Sequence, residues 1–417
     1  MFTPNTLKSQ RFFLSGTTAA DAFEAERKLL LINQELSRSQ SGLAIARAIS
    51  RLEAIATIRI DGLAPDAYEL LIIESLFAGR STNYFAHAFN ESGFCTKSAS
   101  LEAFYYLETL RWIQKTVTPA YRFTPEFILD VHSRCLYNRP AAETGLRFRS
   151  CDFDAAKADS RESFSPPGAD NVIPYIEDLC EFINTPRFSP LAQTGYMHFQ
   201  FESIKPFKRS MDRTGRALCH ALLRSRNITS GSIPAIALLP AIDTRHHAKR
   251  LLPYAQKKDI ENDEIPFAIN NWIEFCAESI SAAWQVKDDY LSVFGKLGAM
   301  WHEKLGKVSE GSATQRILEL LPGYPLLTVE TACRLTGKQF STMNDTFKRL
   351  TGAGIVHLVD SAGCTNARLF EAHDVTDVLS KSKPPVITGG LLLGCNPRDA
   401  GQRLKTPAFT LFRPDCL

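Results

Sequence analysis

Apolar residues recur every three to four positions through LLLINQELSRS and again through LAIARAISRLEAIATIRI. That spacing predicts two helices over residues 21–61, a stretch without proline, broken near Ser41-Gly42. More helix is expected over 64–90, and another from Ser100 (LEAFYYLETLRWIQ) to near Thr118-Pro119. Thr124-Pro125 reads as a helix start, with threonine as cap and proline in the first turn. Helical spacing also runs through VIPYIEDLCEFIN, residues 191–204, 213–224 and 269–284. Between them, residues 145–169 alternate apolar and polar side chains before Pro166-Pro167-Gly168, which predicts a short β-hairpin. The expectation is a mainly α body with a small β-hairpin insertion.

The pattern changes near Gly311. Three short helices are expected at 314–321, 328–335 and 341–350, the last capped by Ser341, followed by strands IVHLV and ARLFEA around a turn at 360–363. Three helices and a hairpin in so short a span predict a winged-helix domain. Beyond Lys383 no period is visible, so a loose tail is expected. The domain reading is an N-terminal helical region at 1–98, a core at 99–300, a winged helix at 301–383 and a tail at 384–417.

Composition narrows the partners. Forty-eight Lys and Arg stand against 45 Asp and Glu, a net charge of +3. Contact with nucleic acid would have to come from a local patch rather than from overall charge. Ten cysteines without a C-x-x-C pair suit a reduced compartment, where thiols act as small apolar residues. No apolar run reaches the ~18–20 residues of a membrane span, and the first residues lack a basic and then apolar leader. The expected location is cytoplasmic, with no membrane partner. His246-His247 lies in a charged stretch without ligand spacing to cysteine, so no metal site is expected.

Residues 198–216 read HFQFESIKPFKRSMDRTGR. This stretch resembles the signature of the Fic (Fido-fold) adenylyltransferases, H-x-x-F-x-x-I-H-P-F followed by x-[D/E]-G-N-G-R-x-x-R. His198, Phe201, Glu202, Ile204, Pro206, Phe207, Arg213, Thr214, Gly215 and Arg216 match in order. GLRFRS resembles the start of the family's flap, SPPGADNVIPYIEDLCEFIN the segment after it, and EAIATIRIDG its inhibitory helix. The resemblance implies a Fic/Fido helical core whose β-hairpin flap, here 146–166, holds a target protein as an added strand. It implies AMP transfer from ATP to a target hydroxyl, with histidine as base, an acid holding Mg²⁺, and a Gly-Asn-Gly turn as anion hole.

Those parts are replaced. Lys205 stands at the histidine position, Arg209 at the acid, and Ser210-Met211-Asp212 at Gly-Asn-Gly, while Arg213 and Arg216 remain. A lysine with an ordinary pKa of ~10.4 is protonated at neutral pH and makes a poor base unless burial and neighbouring cations lower it. Two readings follow. One is a degraded transferase acting as a binding or regulatory protein, with Arg209, Arg213 and Arg216 as phosphate-binding candidates. The other is a divergent nucleotidyl transferase using Lys205 as the catalytic candidate, and only this one calls for ATP and Mg²⁺. In the inhibitory motif Thr57 and Gly62 fit, and Asp61 replaces glutamate. Aspartate is one methylene shorter, so the Asp61–Arg216 pair is expected to be water-bridged or absent, on a surface helix ending at a glycine cap. On the third helix of the winged domain, Lys338, Thr342, Asn344, Lys348 and Arg349 are candidates for double-stranded DNA. The resemblance also implies other uses of that domain, packing on the core or forming a homodimer.

Overall fold

The computed structural model describes residues 4–10, 12–77, 98–152, 166–242, 244, 264–359 and 368–381. Helices α1 (Gly16–Leu36) and α2 (Gln40–Ile60) form the N-terminal pair. Ser15 and Ser39 cap them, each side chain accepting a main-chain N–H three residues on. The break therefore falls at residues 37–39, ahead of the expected Ser41-Gly42. Gly42 lies inside α2 because the chain crosses itself there: a Cβ would stand 2.5 Å from the Leu36 carbonyl oxygen. Helices α3 (Ala67–Phe77), α4 (Ala99–Thr116) and α5 (Pro125–Tyr137) follow, the last two capped by Ser98 and Thr124. Residues 78–90 of the expected helix lie outside the described residues.

Helices α6 (Val172–Asn184), α7 (Pro190–Ile204) and α8 (Met211–Ser225) build the centre. Every residue of α7 after Pro190 is buried, so this helix is a hub with no solvent face. It packs on α8, α6, α1 and α9 (Ile265–Leu305). Helix α9 extends well past the expected 269–284 and runs through position 300. Its later turns bury Tyr290, Val293, Phe294, Leu297 and Trp301 at helical spacing, and nothing stops it before Gly306, whose φ is +67°.

Residues 145–152 form no strand. Part of the expected hairpin, 153–165, lies outside the described residues. The described part is held instead by Arg149, whose N–H donates to the Pro206 carbonyl at 3.0 Å. The C-terminal elements are α10 (Ala313–Leu320), β1 (Leu326–Thr328), α11 (Val329–Thr336), α12 (Phe340–Gly352), β2 (His357–Val359), β3 (Leu369–Glu371) and α13 (His373–Lys381). The sheet is antiparallel with order β1-β3-β2, Leu327 and Leu358 both opposite Phe370. Strand β1 was not expected, because three residues carry no readable alternation and only pairing with β3 makes them a strand. Helix α12 starts at Phe340 after Gln339, so Ser341 lies within its first turn and is not the cap. The expected turn at 360–363, His246-His247 and the tail lie outside the described residues. Among the described residues no helix is long and apolar enough to cross a membrane.

Candidate functional site

The chain leaves α7 through a residue that disfavours the turn it makes. Lys205 has φ +47° and ψ 63°, and its N–H donates to the Phe201 carbonyl at 3.2 Å, which ends α7 with a left-handed cap usually made by glycine. Pro206 and Phe207 then turn inward. The Phe207 ring stacks on His132, with centroids 3.6 Å apart, and on Phe148 at 5.3 Å. Lys208 and Arg209 point to solvent, and Ser210, at φ +49°, leads into α8 without a capping side-chain bond. Arg149 clamps this loop. Its Nε donates to the Lys205 carbonyl at 2.8 Å and its Nη2 to those of Ile204 (3.3 Å) and Pro167. No sequence reading had singled out Arg149, because GLRFRS contains two arginines with equal local claim.

The second half of the site comes from the end of α2. Gly62, at φ +83°, donates to the Arg59 carbonyl at 3.0 Å, and Leu63 donates to that of Ile58 at 3.2 Å. This double closure is a Schellman cap, and it turns the chain so that Asp61 projects from the last turn. The Asp61 carboxylate accepts from Arg213 Nε at 2.7 Å and from Arg216 Nη2 at 2.5 Å. Arg216 Nη2 also donates to the Thr57 carbonyl at 3.2 Å, and Arg213 Nη1 stands 2.7 Å from Glu102 Oε2. Side-chain exposure is 3% for Arg213, 6% for Arg216 and 12% for Asp61. The expectation of a bridged or missing pair on a surface helix is therefore corrected. The contact is direct, and α2 is buried along most of its length. The shorter side chain places one carboxylate between two guanidiniums rather than against one. Burial works against the Arg216 charge, but Asp61 and Asp212 outweigh it and hold the guanidinium above its ordinary range.

Beneath this clasp lies a second group of acids. Glu202 is buried, and desolvation pushes its carboxyl up to about 7 despite Asp212, Arg216 and Lys205 nearby. Asp212 sits at the mouth of the site, exposed as a residue, with its carboxyl turned onto Glu202, and repulsion from Glu202 raises it in turn. Two carboxyls in contact favour sharing one proton. His198 Nε2 is 3.5 Å from Glu202 Oε1, and burial with Arg216 nearby pushes this imidazole down to about 3, so it is neutral. Gly215 makes the packing possible: a Cβ there would meet Glu202 Oε1 at 2.5 Å and the His198 ring at 2.9 Å. His132 Nδ1 lies 2.7 Å from Thr214 Oγ1, and burial with Arg213 nearby also takes it down to about 3.

Four carboxyls, Asp61, Glu102, Glu202 and Asp212, thus surround Lys205, Arg213 and Arg216. Such a balance disfavours a triphosphate. Nor do these residues fit Mg²⁺: Arg209 occupies the position that the resemblance gives to the metal-binding acid, and the nearby carboxyls are engaged with guanidiniums or with each other. Among the described residues no group of three or more His, Cys, Asp or Glu is arranged to hold a metal ion.

The DNA candidates separate. Thr342 and Lys348 are exposed on α12, Lys348 at 3.6 Å from Asp345. Lys338 is half-buried, and Asn344 accepts from Arg368 Nη2 at 2.8 Å. Arg349 Nη2 donates to the carbonyls of Leu305 (3.1 Å) and Lys307 (2.9 Å), tying α12 to the end of α9.

Residues 122–223, which include Arg149 and the whole motif, match the family model described as Fic/DOC family. No curated protein matches the chain. Among solved structures, one similar chain is a Fic family protein from Desulfovibrio desulfuricans G20. It is 14% identical, with a TM-score of 0.44, and the alignment covers 87% of this chain and 98% of that one.

Proposed function

We propose that this protein is a Fic-like scaffold that has exchanged nucleotidyl transfer for binding, and that it acts as a cytoplasmic regulator. One observation carries the reading: both arginines retained from the motif are already neutralised by carboxylates of the chain itself, Arg213 by Asp61 and Glu102, Arg216 by Asp61. A phosphate group would have to displace Asp61 and approach two further acids. The changed loop points the same way. Transfer chemistry of the kind implied by the resemblance needs a neutral base and donors that stabilise charge developing on the phosphate. Lys205 is buried with its carbonyl held by Arg149, and Arg209 points to solvent.

The test is incubation of the purified protein with α-labelled ATP, divalent ions and lysate, beside Lys205→Ala and Arg213→Ala. The reading expects no label in any sample. Label present in the parent and lost in both variants would overturn it in favour of a divergent transferase using Lys205.

A second reading concerns the C-terminal elements, where α12 presents Thr342 and Lys348 to solvent and β2 is an exposed edge strand of the sheet. This supports double-stranded DNA as a partner of a winged-helix domain. Arg349 takes no part, since it is tied to α9. Gel shifts over a salt series test this: affinity must fall with salt, and Lys348→Ala must flatten the slope by about one unit per lost phosphate contact.

A further inference from the structure

Away from the motif, three guanidiniums converge on one buried carboxylate. Arg47 and Arg51 come from α2, Arg111 from α4 and Glu74 from α3. Glu74 Oε1 accepts from Arg47 Nη2 at 2.6 Å and Arg111 Nη2 at 2.5 Å, and its other oxygen accepts from Arg51 Nε. The Glu74 side chain is 4% exposed. A second acid, Glu108, reaches only Arg111 (2.5 Å) and is one-third open to solvent. Arg47 and Arg111 are themselves about a fifth exposed (22% and 19%), and the cluster sets three guanidiniums against two carboxylates. Burial and the neighbouring Arg111 and Arg51 pull the Arg47 guanidinium down to about 10, even against the help of Glu74.

The surplus charge faces a cavity. Arg51 is 5% exposed, and its Nη1, like Arg47 Nε, has no hydrogen-bond partner among the described residues. Both side chains line, with Glu74 and Ser75, a partly open space of about 20 Å³ between Leu71, Tyr324, Leu326 and Thr331. A water-sized occupant needs ~10–15 Å³ on this measure, so one monatomic species fits and a tetrahedral oxyanion does not. Leaving two charged N–H groups buried and unanswered costs more than leaving neutral ones. Water would answer the hydrogen bonds but not the charge.

We propose that this cavity is a binding site for a small monatomic anion of the size of chloride, held by Arg47 Nε and Arg51 Nη1. The ion stands where α2 meets the C-terminal elements. Arg51 Nη2 donates to the Gly323 carbonyl, Arg47 lies over the Tyr324 ring at 4.4 Å, and a Cβ on Gly323 would stand 2.6 Å from the Ala44 carbonyl oxygen. Binding therefore stiffens the joint between α2 and residues 323–328.

The experiment is thermal unfolding of the full chain at constant ionic strength, with sodium gluconate replaced stepwise by sodium chloride or bromide. The midpoint rises with halide and then levels as the site fills, as a ligand of the native state requires. Arg47→Gln, which keeps a partly exposed position polar, moves half-saturation to about tenfold higher halide, the worth of one charged hydrogen bond. In crystals soaked in bromide, an anomalous peak lies within hydrogen-bond reach of both arginines. Equal midpoints in gluconate and chloride overturn the proposal, as does a saturable rise unchanged in Arg47→Gln or bromide absent from the cavity.

Discussion

Removing the Asp61 carboxylate tests the central geometry. It joins α2 to α8 through two charge-assisted hydrogen bonds, 2.7 Å to Arg213 and 2.5 Å to Arg216, at 12% side-chain exposure. Each such bond contributes about 1.5–3 kcal/mol. Removing one partner of a buried pair costs about 3–5 kcal/mol, because the remaining charge is left desolvated. Arg216 is the residue left behind: in Asp61→Ala its Nη2 keeps only the Thr57 carbonyl, whereas Arg213 keeps Glu102. Asp61→Ala is therefore expected to lose about 3–5 kcal/mol, and Asp61→Asn, which retains one acceptor oxygen, about 2 kcal/mol. Urea unfolding reads this as a lower midpoint with an unchanged slope. Calorimetry adds an independent reading. The released Arg216 guanidinium favours phosphates, so the alanine variant binds pyrophosphate at least tenfold more tightly than the parent. If Asp61→Ala lies within about 0.5 kcal/mol of the parent, the carboxylate behaves as a solvated surface group and the clasp is refuted.

Two further predictions concern the acids beneath the clasp. Glu202 carries a pKa of about 7 against 4.5 for a free glutamate, so the folded state binds its proton more tightly than the unfolded chain. The resulting penalty is absent below pH 4.5, grows as pH rises to 7 and is constant above, reaching on the order of 3 kcal/mol. Glu202→Gln removes it. The variant should match the parent near pH 4 and be more stable at pH 8, and equal urea midpoint differences at both pH values would contradict the assignment. Gly215→Ala sets helix propensity, about 1 kcal/mol in its favour, against overpacking of about 1–3 kcal/mol where the new methyl meets Glu202 and His198. Net destabilisation in thermal melts is expected, and a stabilised protein would show that α7 and α8 are not so close.

Much of the helical body was legible because its signals are local. Thr124 accepts from a main-chain N–H three residues on, and Gly62 adopts the left-handed conformation that ends a helix. Each depends on a few neighbouring residues, so the chain announces it without reference to the fold. Gly42 misled for the same reason. A glycine that breaks a helix and one that lets two backbones cross look alike until the crossing partner is known.

The altered motif was legible too, as Lys205, Arg209 and Asp212 at their positions. Its electrostatics were not. Whether Arg213 and Arg216 form an open cationic cluster or a neutralised one depends on Asp61, more than 150 residues earlier, and on Glu102 from a third helix. Arg149 could be told from Arg147 only by which of them meets the carbonyls at the end of α7. Local sequence determined which segments are helical, some of their caps and which charges the motif loop carries. Tertiary structure alone decided which charges meet, because Coulomb energy follows distance in space and the removal of water, neither of which is a property of neighbours along the chain.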